Sequence, residues 1–295
     1  MAQTQPVTES LTRPPFAPAK LIFFWTTHAA AAVGIVGWIV GAIEVTWPTV
    51  LLALGVFVLS TTSIGAGYHR LFSHATYEAG WPLRLFYLLA GGGAMQGSVM
   101  QWSAQHRDHH TFCDKEKDPY NIKLGFWYAH MGWVVRRTYP DYNRVAELER
   151  DWMIRWQDKF YGIVAPLTVF GFPALIGSFW GAAFSAFVVA GIIRLVIQWH
   201  MTFCVNSVAH MFGTQKYSTQ NSARGSWWVS FLVWGEMDHN FHHSFPNDFR
   251  TGTSWYDFDP SKWFISICSV IGLAQGLRRA DPRKVERAVA RAGGD

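Results

Sequence analysis

Nine of the chain's twelve histidines sit in short motifs, and imidazole at these spacings is metal-binding chemistry. His69 and His74 frame HRLFSH, while His106, His109 and His110 form HRDHH. His239, His242 and His243 form HNFHH, and His210 closes NSVAH. In each HxxHH the rings are three and four residues apart, so an α-helix projects all of them from one face. The five-residue step of HxxxxH turns an α-helix by roughly 500° and splays the rings. A helix ending between them, with Ser73 as its exit, is therefore expected. A structural zinc site closes with four ligands, so nine histidines imply a dimetal site. Imidazole serves zinc, copper, iron and nickel alike. Asp108, Glu236 and Asp238, beside the clusters, are the expected acceptors for imidazole N–H groups. His28, His130 and His200 are expected to be interfacial or hydrogen-bonded residues rather than ligands.

The elements that must hold these residues follow from composition and charge. Charged residues make up 15% of the 295, where about 25% is usual, and 50% are apolar and 16% aromatic. This excludes disorder, collagen and coiled coil, and argues against an ordinary soluble enzyme. A mean hydropathy of +0.07 excludes a chain lying wholly in lipid. Uncharged runs long enough to span a bilayer occur at about 21–43, 48–67, 160–176 and 179–199. They predict an all-α integral membrane protein: four transmembrane helices in two hairpins, with a cytoplasmic helical cap carrying the histidines.

Charge placement sets the orientation. Two basic residues lie in the first 20, 12 in 67–159 and 10 after Trp199, leaving Arg194 alone in a span. By the positive-inside rule the arm, the middle segment and the tail share the cytoplasmic side. Residues 1–20, with Pro6, Pro14, Pro15 and Pro18, read as a flexible arm with no signal-peptide pattern. Residues 21–263 read as the membrane domain, its cap comprising 68–159 and 200–263, and 264–295 as a cytoplasmic tail. A fifth apolar stretch, 85–102, is interrupted by Gly91, Gly92, Gly93, Gln96 and Gln101 and is expected to be interfacial or re-entrant. The run 227–234 is too short to span. Three cysteines without a CxxC pair fit a reducing compartment. A bacterial inner membrane and an endoplasmic reticulum membrane both accommodate this topology.

HRLFSH, HRDHH and HNFHH, in this order and with a hairpin on either side of the second, resemble the integral-membrane fatty acyl desaturases, specifically the stearoyl-CoA (delta-9) branch. GFWYAHMGW at 125–133, NSVAH at 206–210 and GEMDHNFHHSFPNDFR at 235–250 extend the likeness over about 68–263. The resemblance implies two Fe ions, cycling between Fe2+ and Fe3+, held by His69, His74, His106, His109, His110, His210, His239, His242 and His243. It implies Asn206 as a ligand through water, O2 as co-substrate, and a cis double bond placed at carbon 9 of a saturated chain. Fatty acyl-CoA or an acyl-lipid is the implied substrate. Arg136 and Arg137 are the expected contacts to its head group, or to membrane lipid. Trp102, Trp199, Phe203 and the run Gly91 to Gly93 are the expected walls of an acyl tunnel. With no cytochrome b5 motif in the sequence, electrons are expected from a separate donor such as cytochrome b5 or a ferredoxin.

The chain departs from that family in two places. Just before the second motif stand Trp102-Ser103-Ala104-Gln105, where animal acyl-CoA enzymes carry an Arg-Asp pair, and Met237-Asp238 stand where a Gly and an aromatic are usual. The alternative reading is a fatty acyl or alkyl hydroxylase with the same di-iron site. A His-rich metal transporter would need ligands near the bilayer midplane, whereas these clusters fall at helix ends. The net charge of +5 is expected to reflect topology and a landing surface for an acidic donor, not nucleic acid.

Overall fold

The computed structural model describes residues 12–236 and 238–293. A first hairpin, α1 (Pro18–Ile39) and α2 (Trp47–Ser73), is followed by α3 (Trp81–Gly92) and α4 (Val99–Phe112). A second hairpin, α5 (Trp152–Ser178) and α6 (Ala183–His210), is followed by α7 (Trp227–Leu232), α8 (His239–Ser244), α9 (Pro260–Val270) and α10 (Pro282–Ala292). Glu78–Ala79 pairs antiparallel with Ala274–Gln275. The chain is thus mostly helical, and among the described residues α1, α2, α5 and α6 are the helices long and apolar enough to cross a membrane.

Local sequence explains the starts of these helices. Pro18, Pro48 and Pro82 occupy the first turns of α1, α2 and α3, where a missing N–H is no loss. The side chains of Ser98, Asp151, Asp238, Asp259 and Asp281 accept backbone N–H groups at the starts of α4, α5, α8, α9 and α10. α1 stops at Ile39 rather than 43 because Gly41, at φ 76°, turns the chain.

The other spans run further toward the histidines than hydropathy indicated. α2 reaches Ser73 rather than 67, α5 begins at Trp152 rather than 160, and α6 reaches His210 rather than 199. Polar residues in these extensions are satisfied by protein. Gln157 accepts from Val99 N and donates to Tyr68 OH, and Asp158 accepts from Ser98 Oγ. Hydropathy marks only the apolar part of each helix.

The stretch 85–102 is not one helix. It comprises the end of α3, a turn with Met95 and Gly97 at positive φ, and the start of α4. Leu88, Ala94, Val99 and Met100 lie in the main core. None of Gly91, Gly92 and Gly93 is in the lining of the cavity beside the histidines. A Cβ on Gly91 would stand 2.4 Å from the Tyr68 ring, and one on Gly67 2.5 Å from Tyr87, so these glycines let α2 and α3 pack closely.

Two expected boundaries also shift. Residues 13–17 of the arm are held along 124–137: Arg13 donates to Leu124 O at 2.8 Å, Arg137 N to Pro15 O and Ala17 N to Val135 O, both at 2.9 Å. The rest of the arm, residues 1–11, lies outside the described residues. The expected tail boundary at 263/264 falls inside α9, whose Ile265 and Cys268 belong to the core.

Candidate metal centre

Four stretches bring the histidines together: the end of α2, α4, the end of α6, and α8. α2 does not end between His69 and His74. Over Ser63–Ser73 it widens into a π-helix, and the His74 N–H donates to the His69 carbonyl at 3.1 Å. Hydrogen bonds from i to i+5 return the chain to nearly the same face after five residues, so these two rings lie 5.1 Å apart.

The nine rings divide into two groups. In each, one ring nitrogen per residue lies within 4.8 Å of all the others: His69, His74, His106, His110 and His242 in the first, His109, His210, His239 and His243 in the second. Each HxxHH is therefore split between the groups. The i,i+4 pair His106/His110 serves the first group and His109 the second, while His239/His243 serves the second and His242 the first.

The donor set fits metal. His69 Nδ1 donates to Glu236 Oε1 at 3.2 Å, His109 Nδ1 to Asp118 Oδ1 at 2.8 Å and His210 Nδ1 to Ser222 Oγ at 2.8 Å. With Nδ1 protonated, each Nε2 presents a lone pair inward. Nε2 atoms meet head-on across the site: His69 and His242 at 2.9 Å, His242 and His110 at 2.9 Å, His210 and His239 at 3.0 Å. Converging lone pairs repel unless a cation lies among them. Burial, then the neighbouring imidazoles, hold His74, His106, His110, His242 and His243 well below the usual histidine range. Burial likewise brings His239 down to about 3. All six are neutral, the form that binds metal.

A buried ion-pair network fixes the first group from behind. Arg70 lies 2.8 Å from Asp259 Oδ1 and 3.3 Å from Glu236 Oε1, and donates to Phe249 O at 3.0 Å. Burial resists ionisation of Glu236, but His69 and Arg70 prevail and hold its carboxyl below the ordinary range.

Of the acidic residues expected to orient imidazoles, Glu236 alone does so. Asp108 turns away, 2.8 Å from Arg144 Nε and accepting from Asp141 N at 3.1 Å. Asp238 accepts from Phe241 N at 2.9 Å, capping α8, and burial raises its pKa to about 6. Its neighbour Met237 lies outside the described residues. Asp118 and Ser222 were not found by spacing, since both come from loops. The only local signal for Asp118 is its Asp-Pro turn.

An adjoining cavity of about 280 Å³ is lined by His69 and His106 of the first group and His109 and His239 of the second. Trp102, Trp199, Phe203 and Asn206 are among its lining residues. Gln96 accepts from Trp102 Nε1 at 3.2 Å and donates to Thr202 Oγ1 at 2.9 Å, cross-linking the walls. Arg136 and Arg137 are not in the lining. The Arg136 guanidinium sits 4.0 Å over the Phe16 ring and donates to Pro14 O, and Arg137 is exposed. Lys20 lines the cavity instead, donating to Arg136 O and Thr138 Oγ1 at 3.3 Å.

Fold and site together define a helical membrane protein in which two all-histidine groups that could hold metal adjoin a largely apolar cavity. Residues 45–263 match the family Fatty acid desaturase. The chain is 40% identical over 245 residues to a probable acyl-CoA desaturase of Schizosaccharomyces pombe, covering 82% of this chain and 51% of the relative. It is 39% identical over 243 residues to acyl-CoA desaturase 1 of Saccharomyces cerevisiae, covering 81% and 48%. It is 34% identical over 284 residues to delta(9)-fatty-acid desaturase fat-7 of Caenorhabditis elegans, covering 94% and 83%. The chain belongs to the fatty acid desaturase family and spans about half the length of the two yeast relatives.

Proposed function

We propose that this protein is an oxygen-dependent acyl-CoA desaturase that introduces a cis double bond at carbon 9 of a saturated fatty acyl chain. One observation carries the reading: a single largely apolar cavity is lined by histidines of both ligand groups, so a hydrocarbon chain within it lies against both. The relatives named for acyl-CoA and delta-9 desaturation support the same substrate class.

His69, His74, His106, His110 and His242 would hold one iron ion, and His109, His210, His239 and His243 the other; Asn206, in the cavity lining, would be a ligand through water. With O2 and two electrons, the iron pair supplies the oxidising power to remove two hydrogens from unactivated methylenes. The chain's own residues orient and exclude. Glu236, Asp118 and Ser222 keep imidazole lone pairs aimed inward. Phe24, Trp102, Trp199 and Phe203 bind the acyl chain and keep water out.

Lys20 at the cavity and the exposed Arg137 nearby form the basic set for the phosphates of an acyl carrier. The distribution of basic residues supports a multi-pass protein with its site on the cytoplasmic face. Electrons come from a separate donor, such as cytochrome b5 or a ferredoxin, drawn to that basic surface.

The test is expression in a host lacking this activity, with metal analysis of anaerobically purified protein and mass-spectrometric mapping of double bonds in total fatty acids. Iron in the protein and new 9-monounsaturated acids are expected. Products that gain one oxygen instead of losing two hydrogens would make the protein a hydroxylase. Iron-free protein, or no altered fatty acid, would sink both readings.

A further inference from the structure

Three histidines outside the ligand groups form a chain of their own. His28 on α1, His200 on α6 and His130 in the turn Tyr128–Gly132 meet ring to ring. His28 Nε2 lies 3.1 Å from His200 Nε2, His200 Nδ1 lies 3.0 Å from His130 Nε2, and His130 Nδ1 lies 2.9 Å from Ser207 Oγ.

One carbonyl settles the order of protons along this chain. His28 Nδ1 lies 2.7 Å from Phe24 O, which can only accept, so that nitrogen carries the hydrogen. A neutral imidazole has a single N–H, so His28 Nε2 accepts and His200 Nε2 donates. His200 Nδ1 then accepts from His130 Nε2, and His130 Nδ1 accepts the Ser207 hydroxyl proton. Phe203 O, 2.9 Å from Ser207 Oγ, competes for that proton but already accepts Ser207 N–H at 3.1 Å. Sending the proton there would turn the His28 and His200 Nε2 lone pairs against each other across 3.1 Å. Every ring nitrogen is satisfied, which offsets the cost of placing three polar rings in a membrane-spanning bundle.

The chain backs directly onto the cavity wall. The Phe24 ring is 4.2 Å from His28 and stacks on Trp199 at 5.8 Å and 12°. The Phe203 ring is 5.8 Å from both His130 and His200. Phe24, Trp199 and Phe203 all line the cavity.

We propose that His28, His200 and His130 are positioning residues whose fixed proton order locks α1, α6 and the Tyr128–Gly132 turn in one register. The register sets where the Phe24–Trp199–Phe203 wall holds an acyl chain against the ligand groups, and hence which carbons react. This rests on the desaturase reading given above.

Two measurements test it. In detergent-solubilised protein labelled with ¹⁵N-histidine, and assigned by single substitutions, His28 should be protonated at Nδ1 and His200 and His130 at Nε2. Any other order at His200 overturns the inference. In a host lacking the activity, His200→Phe keeps the ring but removes both bonds. Displacing a reacting group by about 1 Å changes rates by up to about 100-fold, so minor double-bond isomers should rise roughly tenfold while iron content stays that of the wild type. Ser207→Ala removes only the terminal donor. It should move the isomer pattern the same way by less, and it serves if His200→Phe does not fold. A wild-type isomer pattern in the folded variants overturns the inference. A wild-type protein that makes no unsaturated product overturns the desaturase reading instead, and the proton order is still measured.

Discussion

Asp118 accepts the Nδ1 hydrogen of His109 at 2.8 Å, and it reaches that ring from the loop after the second histidine motif. The same carboxylate takes the backbone N–H of Asp114 at 2.9 Å, so its position is held from two sides. Outer partners of metal-bound histidine typically contribute 10–100-fold in metal affinity. Asp118→Ala should therefore weaken iron retention about 10–100-fold, read as iron remaining after dialysis against graded chelator. Wild-type retention would remove Asp118 from the site's support.

His242 is the hub of the first group, its Nε2 lying 2.9 Å from both His69 and His110. His242→Ala should lower iron content selectively, leaving the ion held by His109, His210, His239 and His243. Metal analysis alongside circular dichroism checks this. Full loss of iron in a folded protein would mean that the two groups bind only as a unit.

Arg70 and Asp259 form a fully buried ion pair at 2.8 Å, and Asp259 also accepts from Thr251 N and Lys262 N. Removing one partner of a buried pair typically costs about 3–5 kcal/mol. Asp259→Ala should lower stability by that order, measured as denaturant or thermal unfolding in detergent. A variant as stable as the wild type would show that Glu236 alone suffices to neutralise Arg70.

The depressed histidine pKa values carry a pH signature. Unfolded, these histidines take up protons near pH 6.5, whereas the buried His74, His106, His110, His242 and His243 do not. Below pH 6.5 the unfolded chain binds more protons than the folded one, so stability is full above that pH and falls as pH drops. Each histidine contributes up to about 1.4 kcal/mol per pH unit. Iron-stripped protein should lose thermal stability steeply between pH 6.5 and 5. A flat profile there would mean that the rings are already solvated.

The helices and the clustering of the histidine motifs were legible because they depend on local signals: apolar length, charge placement and histidine spacing. The partition of the ligands was not. A spacing of three and four residues places three rings on one helical face, but not in one metal group; only the folded arrangement of α2, α4, α6 and α8 puts His109 in the second group and His242 in the first. The widened turn at His69 and His74 was read as a helix end because five residues do not fit α-geometry. Asp118 and Ser222 lie in loops, where no periodicity marks a role. Arg136 was matched by motif, yet Phe16 and Pro14 engage its guanidinium, a contact visible only once the chain is folded.

The split of each histidine motif between two groups bears on how the protein is made. The first group takes rings from α2, α4 and α8, and the second from α4, α6 and α8. Neither set is complete until α8 has left the ribosome, after both hairpins have been synthesised. Under the proposed function, metal loading would therefore follow the synthesis of α8. A nascent chain halted before His239 would carry six of these histidines without either set closed.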